Sequence, residues 1–298
     1  MGENLNYVRK NVISNIFIVG SDLLIVFRLQ KSLYFILHVN THFFVGQKTD
    51  SWLLGYSCLF SISHVALFSV QGYGCQDDTI FCGVLHGHDQ SGHYAAKAVR
   101  ESLPQSLLCR WQEAVALASL IDGEKRLSNC QFDLLRQSYL AAAAAVDEEL
   151  HRSRRLDAFN SGCTALSIVK QGDLMVVANV GDSWAVRATT SDDGDVTAVQ
   201  LTIDFKPGLP QEKARIMLCE GRVHCLDDEP GVHRVWVPHR EAPGLAMSRA
   251  FGDYCVKDYG VISAPEVTQR RITARDQFVI LATDGVSDRF SHSHQVFS

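Results

Sequence analysis

Residues 163–203 read CTALSIVKQGDLMVVANVGDSWAVRATTSDDGDVTAVQLTI. Four runs within it, CTALSIVK (163–170), LMVVANV (174–180), WAVRAT (184–189) and AVQLTI (198–203), are apolar, rich in β-branched residues and of strand length. The breaks between them, QGD, GDS and SDDGD, carry the glycine and aspartate of hairpin-type connections. The stretch therefore predicts a meander of strands packed on helices.

Outward from it, TIFCGVL (79–85) is a short apolar run of buried-strand type, and residues 94–121 and 132–152 read as two long helices. The second contains LAAAAAVDEE, strong helix formers, and ends in charged EELHRSRR. Beyond residue 203 come a short helix at QEKARIML, a polar flap at CEGRVHCLDDEPGVHRVWVPHREAPG and strand patterns at PEVTQRRI and QFVILAT. Trp236 in the flap reads as a packing residue. Strands, two central helices and strands again, without βα alternation or internal repeats, indicate a layered α+β architecture and not a doubly wound sheet.

The chain has 298 residues, 46% of them hydrophobic and 20% charged, enough for one large domain or two ordinary ones. A net charge of -5 and the lack of a Lys/Arg block give no support to nucleic-acid binding. Nine cysteines without a CxxC pair argue against a zinc ribbon and a secreted disulfide framework, and suit a reducing compartment. A cytoplasmic or nuclear location and a monomer are expected.

The first 75 residues differ in composition, with Ala66 their single alanine, and predict a boundary near residue 75 between a segment of no recognised fold (1–75) and the domain (76–298). Within the segment, Trp52–Val70 is 19 residues without Asp, Glu, Lys or Arg, long enough to cross a bilayer if helical. Four serines and His64 dilute it, and the first residues lack the parts of a secretory signal. Membrane anchoring through 52–70 is the lesser reading; a segment with no evolved fold, of which translated non-coding sequence is one source, is the greater.

Carboxylates at strand ends are the informative acids, because a strand end fixes a side chain at the rim of a sheet. Asp284 follows QFVILAT, Asp182 follows LMVVANVG, Asp253 closes AMSRAFGD, and Asp77 and Asp78 precede TIFCGV. Singly, each is more often a turn former or helix cap. Converging, they would make an all-oxygen site for a hard cation such as Mg2+ or Mn2+. A second candidate is VLHGHDQSGH (84–93), where His86, His88 and His93 with Asp89 offer the donors of a softer ion such as Zn2+. A His-x-His pair on a strand would point both rings to one side, but Gly87 suggests a turn.

In this order, SGCTALSIVKQGDLMVVANVGDSWAVRA, LTIDFKPGLPQEKARI, GLAMSRAFGDY and FVILATDGVSD resemble the metal-dependent protein phosphatases of the PP2C type. CLDDEPGVHRVWVPHREAPGLAMSRAFGDYCVKDYGVISAPEVTQR is most similar to their plant branch. The resemblance covers about residues 76–298. It implies a β-sandwich flanked by helices in a four-layer αββα arrangement, two Mg2+ or Mn2+ ions at one edge, and hydrolysis of phosphoserine and phosphothreonine in phosphoprotein substrates. Two adjacent metals generate a hydroxide nucleophile and stabilise charge developing on the phosphoryl group.

By the same resemblance, Asp284 is a metal ligand and catalytic, Asp288 belongs to an additional metal, Gly87 contributes a backbone carbonyl, and Asp182 is an acidic group near the metal edge. Ser248, Arg249, Gly252 and Asp253 match a block read as architecture beside the site. Asp77, in a compressed CQDD, is the weakest ligand candidate. His86 stands where the family motif DGHG has the aspartate that bridges both metals, and a neutral imidazole offers one lone pair and no charge. The chain ends at DGVSDRFSHSHQVFS, short of the family's last aspartate in a DN motif, and Trp184 replaces the usual arginine of GDSRA. A domain truncated at both ends, and either a weakly active phosphatase or an inactive phosphoprotein-binding homologue, are the expectations.

Overall fold

The computed structural model of the chain describes residues 64–122, 124–154 and 156–283, with the side chains of 121–130 outside the description. It adds the backbones of four strands: β1 (Leu24–Arg28), β2 (Tyr34–Val39), β3 (His42–Gln47) and β4 (Ser57–Ile62). Strand β5 (Val65–Gln71) pairs antiparallel with β4 and with β6 (Thr79–His88). Helices α1 (Gly92–Asp122) and α2 (Glu124–Arg152) follow, then strands β7 (Gly162–Gln171) and β8 (Leu174–Val180). A two-residue turn joins β7 to β8, and Gly172 there has φ 56°, the left-handed conformation such a hairpin requires.

The chain then leaves that sheet. Strands β9 (Trp184–Thr190) and β10 (Val196–Gln200) pair with each other, and β9 also pairs with β16 (Asp276–Ala282), in a second sheet of order β1-β16-β9-β10. The expected single meander is thus two hairpins in two sheets, and GDS (181–183) is the crossing between them, not a hairpin turn. Gly181 has φ 105°, and a Cβ there would lie 2.5 Å from Thr164 Cγ2. Glycine lets the chain turn away while hugging β7.

Between these hairpins and β16, helix α3 (Pro210–Leu218) precedes a small sheet, β11 (Arg222–His224), β12 (Arg234–Trp236) and β13 (Pro243–Leu245), in the segment read as a flap. Trp236 is buried there, as expected of a packing residue. Strand β14 (Phe251–Gly252) pairs with β7, helix α4 (Tyr254–Lys257) follows, and β15 (Glu266–Arg271) pairs with β8. The first sheet thereby has seven strands, in the order β15-β8-β7-β6-β5-β4 with β14 beside β7.

Alternation along β6 assigns its two faces to two cores. Phe81 and Leu85 join Leu135, Tyr139 and Val146 of α2 on the helix side. Cys82 and Val84 join Val279 and Leu281 of β16 between the sheets. Leu135, Tyr139, Ala142, Ala143, Val146 and Leu150 recur at helical spacing and are all buried, so α2 lays one stripe on the sheet. The architecture is the expected α+β sandwich, and the described residues show three of its layers: a helix pair, the seven-stranded sheet and the four-stranded sheet.

The compositional change at residue 75 is not a structural boundary. Strands β4 and β5 extend the main sheet, and Phe68, 1% exposed, meets the Phe81 ring edge-on at 4.8 Å. The 52–70 stretch therefore carries strands where a membrane helix was considered, and among the described residues no helix is long and apolar enough to cross a membrane. We expect Phe68→Ala to cost about 3–5 kcal/mol in urea unfolding of the full chain, the range for an aromatic core truncation. A loss below about 1 kcal/mol, within the ordinary range for surface substitutions, would show that 65–71 stands outside the core.

Candidate metal centre

Strand order brings several motifs to one rim of the sandwich. Strand β6 ends at His88, β7 begins beside it with Gly162 opposite His88, β8 ends two residues before Asp182, and β16 ends at Ala282 opposite Trp184. Asp253 follows β14, whose Gly252 pairs with Gly162. Asp182, Asp253 and the β6 terminus thus share an edge, and Thr283 leads away from the same edge. Asp284 and Asp288 lie outside the described residues.

Asp77 does not belong to this edge. It precedes the first residue of β6, whereas the site lies past its last, and ten strand residues span about 30 Å. Its place in the acidic CQDD run gave no information about which end of the strand it would occupy.

The β6 strand continues through the histidines, contrary to the turn expected at Gly87. His86 and His88 therefore extend from one face of the strand, the face whose preceding members Cys82 and Val84 line the space between the sheets. Gly87 faces the other way, against the start of α1, where an added Cβ would lie 2.2 Å from the Gly92 carbonyl. Its amide donates to the His64 carbonyl at 2.7 Å. Asp89 then turns the chain into α1 with φ 62°.

His88 Nε2 lies 2.6 Å from Asp253 Oδ2. Asp253 is buried, has φ 55°, and reaches this position because Gly162 has no side chain: a Cβ there would lie 2.2 Å from Asp253 Oδ2. His88 Nδ1 is buried without a hydrogen-bond partner. One donor atom each from His88, Asp89 and Asp253 falls within a span of 4.8 Å. Burial disfavours a charged His88 ring, but the Asp253 carboxylate, helped by Asp89 and Asp182, outweighs it and raises the histidine pKa. Burial also raises the Asp89 carboxyl, with His88 opposing and Asp253 reinforcing that shift. The field at this rim favours positive charge.

Asp182, 2% exposed, is ion-paired through Oδ2 with Lys206, and its Oδ1 is buried without a hydrogen-bond partner. Lys206 was not singled out in the sequence, although it lies within the LTIDFKPGLPQEKARI motif, three residues beyond the AVQLTI strand. A hydrogen-bond chain sets that lysine. Phe205 N donates to Gly181 O, Ser248 N donates to Phe205 O, and Ser248 Oγ donates to Glu212 Oε2 at 2.7 Å. Buried Glu212 further accepts from Arg215 and Arg249, and the Arg249 guanidinium lies 3.8 Å from the Phe205 ring centroid.

The family model described as Protein phosphatase 2C matches residues 58–296. The chain belongs to the protein phosphatase 2C family. It is 71% identical over 231 residues to probable protein phosphatase 2C 48 of Oryza sativa subsp. japonica, covering 76% of this chain and 65% of that protein. To probable protein phosphatase 2C 34 of Arabidopsis thaliana it is 58% identical over 226 residues, covering 76% and 63%. The chain therefore spans just under two thirds of the length of these relatives. Serine-threonine phosphatase 2C from Toxoplasma gondii superposes with a TM-score of 0.67 at 24% identity, over 78% of this chain and 79% of that one, which establishes the shared fold.

Protein phosphatase 2C enzymes depend on metal, and the rim has a candidate metal-binding group. Among the described residues, its donors do not fit a carboxylate-bridged pair of hard ions. Position 86 holds an imidazole, one Asp253 oxygen is engaged by His88, and one Asp182 oxygen is engaged by Lys206. Burial leaves His88 Nδ1 and Asp182 Oδ1 without hydrogen-bond partners, and of the two residues His88 belongs to the group whose donor atoms lie within 4.8 Å.

Glu212 supplies a pH test of the network behind the rim. Burial alone would raise its pKa, but hydrogen bonds from Arg215, Arg249 and Ser248 bring it down from 4.5 to about 2. A depressed folded-state value contributes stability that is present above pH 4.5 and lost as pH falls toward 2. That shift corresponds to about 3 kcal/mol. Unfolding measured between pH 6 and about pH 3 should show Glu212→Gln less stable at pH 6 and with a flatter pH dependence than wild type.

Proposed function

We propose that this chain carries a serine/threonine phosphoprotein phosphatase domain whose rate of hydrolysis is limited by His86. The observation that carries the reading is the convergence of the β6 terminus, Asp182 and Asp253 on one sandwich edge in a member of this family. Probable protein phosphatases 2C at up to 71% identity among the relatives described support phosphomonoester hydrolysis as the reaction class.

The chain's own residues support impairment at one step. A phosphomonoester hydrolyses very slowly unaided, so the domain needs strong stabilisation of charge on the transferring phosphoryl group. The hard cations Mg2+ and Mn2+ supply that charge when held by oxygen donors. His86 replaces a negative, doubly bridging donor with a neutral one, which weakens a hard-ion site without disturbing the sheet, since position 86 lies in regular pairing with Thr164. Lys206 and the carboxylate network behind it retain the rim's shape. The same observation favours a second reading, in which phosphoproteins are held and not processed.

The purified chain should release phosphate from a phosphothreonine peptide with Mn2+ at least about 100-fold more slowly than the 71%-identical rice relative, a loss typical of removing one strong electrostatic contact. Peptide binding, followed by fluorescence anisotropy, should persist. A rate near that of the relative would refute the impairment, whereas absence of both turnover and phosphopeptide binding would refute the phosphatase reading.

A further inference from the structure

His88 is arranged as a metal-ligating histidine in a site the family's paired hard ions do not account for. A carboxylate accepts, so the 2.6 Å contact places the ring proton on Nε2, facing Asp253. The neutral ring then turns a lone pair outward at Nδ1, the atom that is buried without a hydrogen-bond partner. Metal-bound histidines characteristically donate their second ring N–H to a carboxylate, which fixes the tautomer and raises ligand basicity. Were His88–Asp253 a structural ion pair alone, a buried Nδ1 would be expected to find a partner of its own.

The surroundings add a second donor. Asp89 has a carboxylate oxygen within the 4.8 Å span of the group, and its φ of 62° turns the chain immediately after His88. His86 stands two residues back on the same strand face. Asp182 adds negative charge from the end of β8, near enough to act on His88 electrostatically. Hard ions such as Mg2+ require oxygen donors in near-octahedral array, whereas imidazole suits zinc, cobalt and nickel.

We propose that this rim binds one borderline transition-metal cation of the zinc class, through His88 Nδ1 and Asp89, with Asp253 as the carboxylate that orients His88. The proposal concerns the same edge as the phosphatase reading and rests on it only for the site's location. Metal binding here requires no turnover.

The test uses the full chain freed of metal with a chelator and titrated with Co2+, whose visible bands report coordination. One equivalent should give the intense bands of a low-coordinate site with nitrogen donors, displaced by Zn2+ and unaffected by a large excess of Mg2+. By calorimetry His88→Ala should weaken Zn2+ binding by at least about 100-fold, and Asp253→Asn by about 10–100-fold, with circular dichroism showing both still folded. If either variant unfolds, the wild-type competition decides alone. Zn2+ binding no tighter than Mg2+ binding, or unchanged in a folded His88→Ala, would overturn the proposal. Phosphopeptide binding on the same preparation separates the two readings: tight Zn2+ binding without phosphopeptide binding or turnover refutes only the phosphatase reading. Phosphopeptide binding without Zn2+ preference refutes only this one.

Discussion

The pleat of β6 governs both halves of the molecule. Each residue of this strand must face either the helix pair or the second sheet, and both sides are apolar: Phe81 and Leu85 toward α1 and α2, Cys82 and Val84 toward β16. A slip of one residue would exchange the two cores, so packing on both faces fixes the register. The same alternation carries past the cores to the rim, where it leaves His86 and His88 on the inter-sheet side and Gly87 against α1. Rim chemistry is therefore positioned by core packing some distance away.

Burial on both faces also explains what the sequence conveyed poorly. Val65–Gln71 contains four consecutive buried residues, Ala66 to Ser69, and so lacks the alternation that marks a half-exposed strand. With β4 before it, it reads as one uncharged run, which satisfies a length criterion for membrane helices as readily as a pair of sheet strands. LMVVANV and QFVILAT were legible because turn residues bound them. GDS was misread because glycine and aspartate signal a change of direction without saying whether the chain returns to its own sheet or crosses to another. The deciding fact, close packing of Gly181 on Thr164, is a tertiary contact.

At the rim, the sequence identified Asp182 and the histidine motif but misjudged other members. Asp253 was read as architecture and is the carboxylate against which His88 is held. Its position depends on Gly162, a residue distant in sequence, leaving room for a carboxylate oxygen. Asp77 was offered as a ligand because acids near strand ends are candidates, yet a strand has two ends and local pattern does not distinguish them. Glu212 lies in the short helix expected at QEKARIML, and its partners Arg249 and Ser248 lie in the block that carries Asp253. Long-range hydrogen bonds are what the one-dimensional pattern could not contain.

The rim combines conservation of shape with a change in donor chemistry. Replacing a carboxylate by imidazole at 86 leaves strand pairing intact, because the backbone of His86 pairs with Thr164 whatever the side chain. The electrostatic consequence is larger: beside the aspartate that the family resemblance expects at 86, an imidazole carries one negative charge fewer, with Asp89, Asp182 and Asp253 at the same rim. Those three carboxylates still favour a cation, and Lys206 and His88 already engage two of them. In the proposed site, a nitrogen donor among these carboxylates favours softer cations over Mg2+. The proposed weakening of hard-ion chemistry draws on position 86, whereas the proposed softer-ion site draws on His88, Asp89 and Asp253, and both use the same strand pairing.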